Sequence, residues 1–169
     1  PAERPILFAP DRNLGRYLAK KAQREMLLWD GSCVVHETFS LRKIVQLQLE
    51  HPDAELIAHP ECEEPLLRRA AFIGSTSALL KYVQSSPSRK FIVATETGIL
   101  HQMRKQAPGK EVIPAPPEAN CACNDCPYMK LNTLEKLHRC MLNRSPEIIL
   151  DPSLAERALL PIRKMMEMS

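Results

Sequence analysis

The sequence has no long apolar run, which limits the classes of protein to which it can belong. No uninterrupted hydrophobic segment approaches the roughly 20 residues that a membrane-spanning helix needs, and no signal-peptide pattern opens the chain. Of its 169 residues, 44% are hydrophobic and 25% are charged, as in an ordinary globular protein. We therefore expect a cytoplasmic protein that does not associate with a membrane.

The chain also has little net charge and few aromatic side chains. The net charge is +3, aromatic residues make up 5% of the chain, and the basic residues are scattered rather than clustered. Because a nucleic-acid-binding surface combines a basic patch with interspersed aromatic residues, we do not expect nucleic acid as a partner. Small substrates with phosphate or carboxylate groups are compatible with this charge.

Glycine is rare, with 5 residues against 15 prolines, whereas cysteine occurs six times. Six cysteines without a secretory signal indicate a reducing compartment, in which thiols bind metal or lie buried rather than form disulfides.

Short apolar runs alternate with amphipathic segments along most of the chain. Strands are predicted at residues 6–9, 26–29, 55–58, 71–73, 90–94 and 111–113. This alternation predicts an α/β fold with parallel sheets and helices on both faces. The segment 84–89 (QSSPSR) has linker composition, so we expect two small three-layer αβα domains, residues 1–87 and 88–169.

The last third of the chain differs in character. A cysteine-rich loop covers residues 120–129 (NCACNDCPYM), and Asn132 is a predicted helix cap with Glu135 three residues later. A strand is predicted at residues 147–150 (EIIL), followed by a final helix that Pro161 kinks or restarts. The helix after Asn132 is expected to bury four apolar side chains: Leu134, Leu137, Met141 and Leu142.

Chemistry-bearing side chains follow the second predicted strand, in residues 29–37 (WDGSCVVHE). Ligands bind at the carboxyl ends of strands in sheets flanked by helices. A thiolate from Cys33, an imidazole from His36 and the carboxylate of Glu37 are the donors of a metal-centred active site. The alternative is a buried structural cysteine beside a solvated His–Glu pair.

Two further strand exits carry polar groups. His59 and Glu61 flank a proline that fixes their relation, as general acid–base chemistry requires. Cys62 beside them is either a ligand or a packing residue. Ser75 and Thr76 follow the next strand, where they either hold a carboxylate or phosphate group or simply cap a helix.

The cysteine-rich loop is the most specific local signal. Cys121, Cys123 and Cys126 lie within six positions and the last precedes a proline, a pattern closer to iron–sulfur ligation than to zinc. A tetrahedral zinc site needs a fourth ligand, and the thiol that follows, Cys140, occupies a core-like helical position. A redox pair or spare thiols in an exposed loop are the alternatives.

Six motifs in order along the chain resemble those of the quinolinate synthase family. They cover nearly the whole sequence: residues 8–15 (FAPDRNLG), 29–37 (WDGSCVVHE), 58–62 (AHPEC), 73–76 (IGST), 94–98 (ATETG) and 126–132 (CPYMKLN). The resemblance implies a transferase that condenses iminoaspartate with dihydroxyacetone phosphate to quinolinate for NAD biosynthesis. An aspartate oxidase or dehydrogenase would supply the iminoaspartate.

The resemblance also implies an architecture and a cofactor. Quinolinate synthases have three similar α/β domains around a pseudo-threefold axis. A [4Fe–4S] cluster at the centre is held by one cysteine from each domain, and its open iron corner acts as a Lewis acid. By motif position Cys33 and Cys126 are two of these metal ligands. Cys121 and Cys123 match a Cys-rich variant of the loop, in which a disulfide between them or with Cys126 would be a redox switch.

The same resemblance assigns the substrate site. His59 and Glu61 would contact iminoaspartate and its condensation products, with Glu61 the residue that transfers protons. Thr76 matches a substrate-binding threonine, and His36 lies close enough to Cys33 to line the same cavity.

The sequence departs from the family pattern at its start, because its first residues match the second of the three family domains. The first domain, expected to supply the third cluster ligand and part of the substrate pocket, is not in this sequence, so we expect a fragment that is weakly active or inactive alone. Two alternatives are a non-catalytic iron–sulfur or redox module that uses the loop of Cys121, Cys123 and Cys126, and a plain interaction domain.

Overall fold

The computed structural model describes residues 4–118 and 124–168. The chain divides into two compact units, Pro1–Pro127 and Tyr128–Ser169. Among the described residues, no helix combines the length and the apolar composition needed to cross a membrane.

Strands and helices alternate through the first unit, which confirms the predicted α/β class. The elements are β1 (Leu7–Phe8), α1 (Arg12–Ala22), β2 (Leu27–Leu28), α2 (Leu41–Glu50), β3 (Glu55–Ala58), α3 (Glu64–Leu67), β4 (Phe72–Ile73), α4 (Thr76–Ser85), β5 (Lys90–Ala94), α5 (Gly98–Gln106) and β6 (Glu111–Pro114). β1 and β2 form a parallel pair, and the other strands form a parallel sheet in the order β4-β3-β5-β6.

The four-stranded sheet is covered on both faces, as a three-layer αβα arrangement requires. Successive side chains of a strand point to opposite faces. Leu56 and Ile92 accordingly pack in one core cluster with residues of α2 and α3, whereas Ile57 and Phe91 pack in a second cluster with residues of α4 and α5. Every one of these strand residues is almost completely buried. The near-continuous apolar runs of β3 and β5 are therefore explained by burial on both faces.

Polar side chains cap the starts of two helices. Asp11 accepts a hydrogen bond from the Leu14 amide at 2.7 Å, and Ser40 accepts one from the Lys43 amide at 3.4 Å. These side chains satisfy amides that have no partner within the helix, so they fix where α1 and α2 begin.

The strand pairing does not follow the domain boundary predicted after residue 87. β3, which precedes that position, is the hydrogen-bonded neighbour of β5, which follows it, with Leu56 opposite Ile92 and Ile57 opposite Val93. One sheet thus includes strands on both sides of the segment 84–89, whose linker-like composition marks the end of α4 and its connection to β5.

The second unit contains a short 3-10 helix (Met129–Leu131), α6 (Leu134–Asn143) and α7 (Pro152–Met168). Thr133, not the predicted Asn132, caps α6 by accepting a hydrogen bond from the Lys136 amide at 3.2 Å. The strand predicted at residues 147–150 does not form. The burial predicted for α6 is also wrong, because a unit of about 40 residues is too small to build a core of its own; the side chains concerned are exposed: Leu134, Leu137, Met141 and Leu142.

Candidate functional site

The candidate site lies where the strand order of the sheet changes direction. The connection after β3 leads to β4 on one side, and the connection after β5 leads to β6 on the other. In open parallel sheets such a switch point leaves a crevice outside the carboxyl ends of the two strands. His59 follows β3 directly and Thr95 follows β5 directly, so both stand at this crevice.

Three potential metal ligands meet at this edge. Cys33, His36 and Glu61 each offer a ligand atom, and these atoms lie within 4.8 Å of one another. His36 is buried and its Nδ1 lies 3.0 Å from Oε2 of Glu61, while the Cys33 thiol also hydrogen-bonds to the Glu61 carboxylate. The predicted set of a thiol, an imidazole and a carboxylate is thus present. Its carboxylate is Glu61 and not Glu37, which is bound by Arg12 and Ser32.

His59 extends this group by stacking on His36. The two ring centroids are 4.5 Å apart and the ring planes differ by 18°. Nδ1 of His59 accepts a hydrogen bond from the Glu61 amide at 3.4 Å and lies 3.7 Å from Oε2 of the Glu61 carboxylate. An Nδ1 that accepts carries no proton, so the neutral His59 ring has its proton on Nε2.

Protonation states in the group are set by these contacts. The hydrogen bond from His36 is the main reason that the pKa of Glu61 is lowered, and the two nearby imidazoles add to this effect. Burial is the main reason that the pKa of His59 is lowered, and the neighbouring His36 acts in the same direction. Near neutral pH, Glu61 is therefore an ionised proton acceptor beside a neutral histidine that can donate from Nε2.

Burial raises the pKa of the Cys33 thiol, and two backbone amides act against it. The N–H groups of Val35 and His36 hydrogen-bond to the Cys33 sulfur and lower its pKa. Hydrogen bonds of this kind stabilise a sulfur that carries negative charge, as a metal-bound thiolate does. The loop after β2 thus supplies the two amides that hydrogen-bond to the sulfur of Cys33.

The loop that presents Cys33 is anchored to the start of α1. One Asp11 oxygen caps the helix and the other accepts a hydrogen bond from the Cys33 amide at 2.8 Å, while the Arg12 amide donates to the Gly31 carbonyl at 2.8 Å. A Cβ at Gly31 would lie 2.4 Å from the carbonyl oxygen of Pro10, so only glycine permits this close approach. The contact between Asp11 and Cys33 was not predicted from the sequence.

A second chain of contacts leads from His36 to Cys126. Nε2 of His36 lies 3.2 Å from Oγ1 of Thr95, at the exit of β5. The next residue, Glu96, accepts hydrogen bonds from the Gly98 amide at 2.7 Å and from the Cys126 amide at 3.4 Å. Cys126 is half-buried and its thiol is free, whereas Cys121 and Cys123 of the same loop lie outside the described residues.

Comparison with known proteins identifies the family of this chain. The family model described as quinolinate synthetase A protein matches residues 1–167. The chain belongs to the quinolinate synthetase A family. It is 63% identical over 169 residues to a quinolinate synthase of Nostoc punctiforme and 60% identical to one of Microcystis aeruginosa. All of this chain is matched, but it covers 52% and 53% of those proteins, so it spans about half the length of these relatives.

Thr76, the further substrate residue implied by the family resemblance, stands at the neighbouring strand exit. It is the half-buried first residue of α4 and follows β4, which pairs with β3. Ser75 caps this helix by accepting a hydrogen bond from the Ala78 amide at 3.3 Å. Within the described residues, no hydrogen bond or ion pair joins Thr76 to the group of Cys33, His36, His59 and Glu61. Its role stays a prediction.

Cys62 is a packing residue. It is fully buried in the core cluster under β3 and β5, and its thiol contacts the Ala94 carbonyl at 3.5 Å. Burial raises its pKa far above that of an exposed thiol. The structure thus favours the packing role over the ligand role that the sequence left open.

We expect Cys62 to resist alkylation in the native protein, because a buried thiol neither ionises readily nor meets the reagent. Iodoacetamide treatment at mildly alkaline pH, followed by peptide mass spectrometry, should label Cys126 and Cys140 well before Cys62. Unfolding in urea should remove the difference. Native labelling of Cys62 at the rate of the half-buried thiols would contradict its placement.

Proposed function

We propose that this chain is part of a quinolinate synthase that condenses iminoaspartate with dihydroxyacetone phosphate in NAD biosynthesis. Family membership supports the reaction, and the grouping of Cys33, His36, His59 and Glu61 at the sheet's switch point supports the location of the active site. This grouping is the observation on which the proposal rests. An aspartate oxidase or dehydrogenase is the proposed upstream supplier, and a pseudo-threefold arrangement of three α/β domains is the proposed architecture of the whole protein.

The proposed cofactor is a [4Fe–4S] cluster held by Cys33 and Cys126, with a third cysteine from the first domain of the family plan. The donor set fits, since both thiols are free and the Cys33 sulfur already receives two amide hydrogen bonds. The contacts through His36, Thr95 and Glu96 connect the two cysteines along one edge of the first unit. When bound, the cluster would supply Lewis-acid chemistry to the substrate.

Glu61 and His59 would have different roles in proton transfer. Glu61, kept ionised by His36, would accept protons from iminoaspartate-derived carbon or nitrogen. His59, neutral with its proton on Nε2, would donate to a carbonyl or leaving-group oxygen. His36 would line the substrate cavity and hold Glu61 in place.

The start of α4 would bind the charged end of a substrate. Ser75 and Thr76 offer hydroxyl groups, and the first amides of a helix favour a phosphate or carboxylate. This assignment accounts for a hydroxyl-rich turn beside the acid–base pair.

The test is anaerobic reconstitution with iron and sulfide. The portion of the Nostoc punctiforme relative that lies outside the matched region would be joined to this chain, so that all three expected ligands are present. We expect a brown, oxygen-labile chromophore that is largely lost in both Cys33→Ser and Cys126→Ser, because each removes one of three thiolate ligands. The matched control is Cys140→Ser, a half-buried thiol on α6, which should leave the iron content unchanged.

Other outcomes would contradict the proposal. Dependence of the chromophore on Cys121 and Cys123, with indifference to Cys33, would support a separate iron–sulfur or redox module. A single bound metal ion without sulfide would point to mononuclear coordination by Cys33, His36 and Glu61. The absence of any chromophore would favour an interaction domain.

A further inference from the structure

We propose that Asp11 and Glu96 are positioning residues that hold the two predicted cluster cysteines by the same device. In each case one carboxylate bridges an amide at the start of a helix and the backbone amide of the cysteine. The inference concerns how this chain prepares its ligands, and its relevance to catalysis rests on the proposed function.

Asp11 uses its two oxygens on two different parts of the fold. Oδ1 accepts from the Leu14 amide at 2.7 Å, and Oδ2 accepts from the Cys33 amide, 22 residues along the chain, at 2.8 Å. The side chain is 3% exposed, so water does not compete well for either contact. Hydrogen bonds from amides to a carboxylate are charge-assisted and stronger than neutral ones. The backbone at Cys33 is thereby tied to a rigid helix end.

Glu96 repeats this arrangement for the other cysteine. Oε2 accepts from the Gly98 amide at 2.7 Å, and Oε1 accepts from the Cys126 amide, 30 residues along the chain, at 3.4 Å. A Cβ at Gly98 would lie 2.7 Å from Oε2, so glycine leaves the room that this carboxylate occupies. Thr97 adds further contacts to the same loop, through Asp125 and the Asn124 carbonyl.

The contacts of Asp11 and Glu96 support a role in positioning the two cysteines, not in activating their thiols. Burial is the main reason that the pKa of the Cys33 thiol is raised, and the negative charge of Asp11 acts in the same direction, which opposes formation of the thiolate. A fixed backbone amide instead fixes the direction in which the Cα–Cβ bond leaves the chain. Groups that orient a metal ligand typically change metal affinity or activity by about 10- to 100-fold when they are removed.

The first experiment measures amide hydrogen exchange in the 169-residue chain without a cluster. Asp11→Asn keeps an oxygen for the Leu14 amide but presents an NH₂ group to the Cys33 amide. Because the Cys33 amide loses a hydrogen bond to a charged group, we expect about tenfold faster exchange at Cys33 and no change at Cys126. Glu96→Gln should give the opposite pattern, so each variant is the control for the other.

Gly98→Ala provides a variant that keeps every charge. The added methyl group should displace the Glu96 carboxylate while alanine suits the start of α5 better than glycine does. We expect faster exchange at Cys126 without loss of folding. Ser40→Ala removes the cap of α2 but touches no cysteine, so it controls for a general loss of helix stability.

The second experiment measures the cluster in the fusion with the relative's remaining portion. Asp11→Asn, Glu96→Gln and Gly98→Ala should each release iron to a chelator about tenfold faster, whereas Ser40→Ala should not. Local exchange effects together with faster iron release support the inference. Unchanged exchange at Cys33 and Cys126 overturns it, as does an unaltered cluster. If the parent protein binds no cluster, the proposed function fails, while the exchange pattern still decides whether the carboxylates position the cysteines.

Discussion

Glu61→Gln, at the proposed general base, is expected to lower the turnover of the proposed synthase, once reconstituted, by about 10²- to 10⁴-fold, the usual contribution of such a group. Glutamine keeps the shape of the side chain and one acceptor oxygen for His36, but it cannot take up a proton. The carboxylate that it replaces is held ionised by the His36 hydrogen bond and lies beside the stacked His59 ring. The loss should therefore appear in kcat more than in KM.

The assay would follow quinolinate formation in the fusion protein loaded with its cluster. Glu64→Gln is the matched control, because Glu64 lies three residues away and pairs on the surface with Arg68 and Lys20. It should leave turnover unchanged. The iron content of both variants must equal that of the parent, which separates a proton-transfer defect from cluster loss. Full activity of Glu61→Gln with normal iron content would show that Glu61 is not the base.

Phe91→Ala is expected to lower the free energy of unfolding by about 3–5 kcal/mol, as for other large aromatic residues removed from a core. Phe91 is fully buried on β5, lies edge-on to Tyr82 with centroids 6.3 Å apart, and has the Lys110 ammonium 5.5 Å from its ring centroid. Alanine would leave a cavity at the centre of the second core cluster, in a strand paired on both sides. Little of that volume can be recovered by repacking.

Urea unfolding monitored by circular dichroism would measure this change. Leu49→Ala on α2 is the control, since that side chain is 77% exposed and its removal should change the free energy of unfolding by less than about 0.5 kcal/mol. A loss at Phe91 no larger than that at Leu49 would mean that β5 is not the centre of the sheet's packing.

The parts of the fold that could be predicted from the sequence are those with strong local patterns. β3 and β5 begin and end at the predicted residues, because each is a short apolar run bounded by polar residues. The sequence also indicated that His59 and Thr76 would lie at strand exits, and they follow the carboxyl ends of β3 and β4. The expected division after residue 87 relied on composition alone, and composition does not report which strands pair.

Contacts that join distant parts of the chain could not be predicted in this way. The second oxygen of Asp11 reaches a cysteine 22 residues away, and Glu96 reaches one 30 residues away. Glu37 looked the better partner for Cys33 because it is closer in sequence, but folding places Glu61 there instead. The strand predicted at residues 147–150 fails for a related reason, since an apolar run becomes a strand only when another strand is available to pair with it.

The strand order β4-β3-β5-β6 has a consequence for the nascent polypeptide. Until β5 has left the ribosome, β3 can pair only with the two-residue β4. The other edge of β3 therefore stays unpaired while α4 is synthesised. The crevice can therefore form only after β5 has been synthesised, when Ala94 pairs beside Ala58. A pause in translation before β5 would leave the unpaired edge of β3 exposed, where it could pair with a strand of another chain.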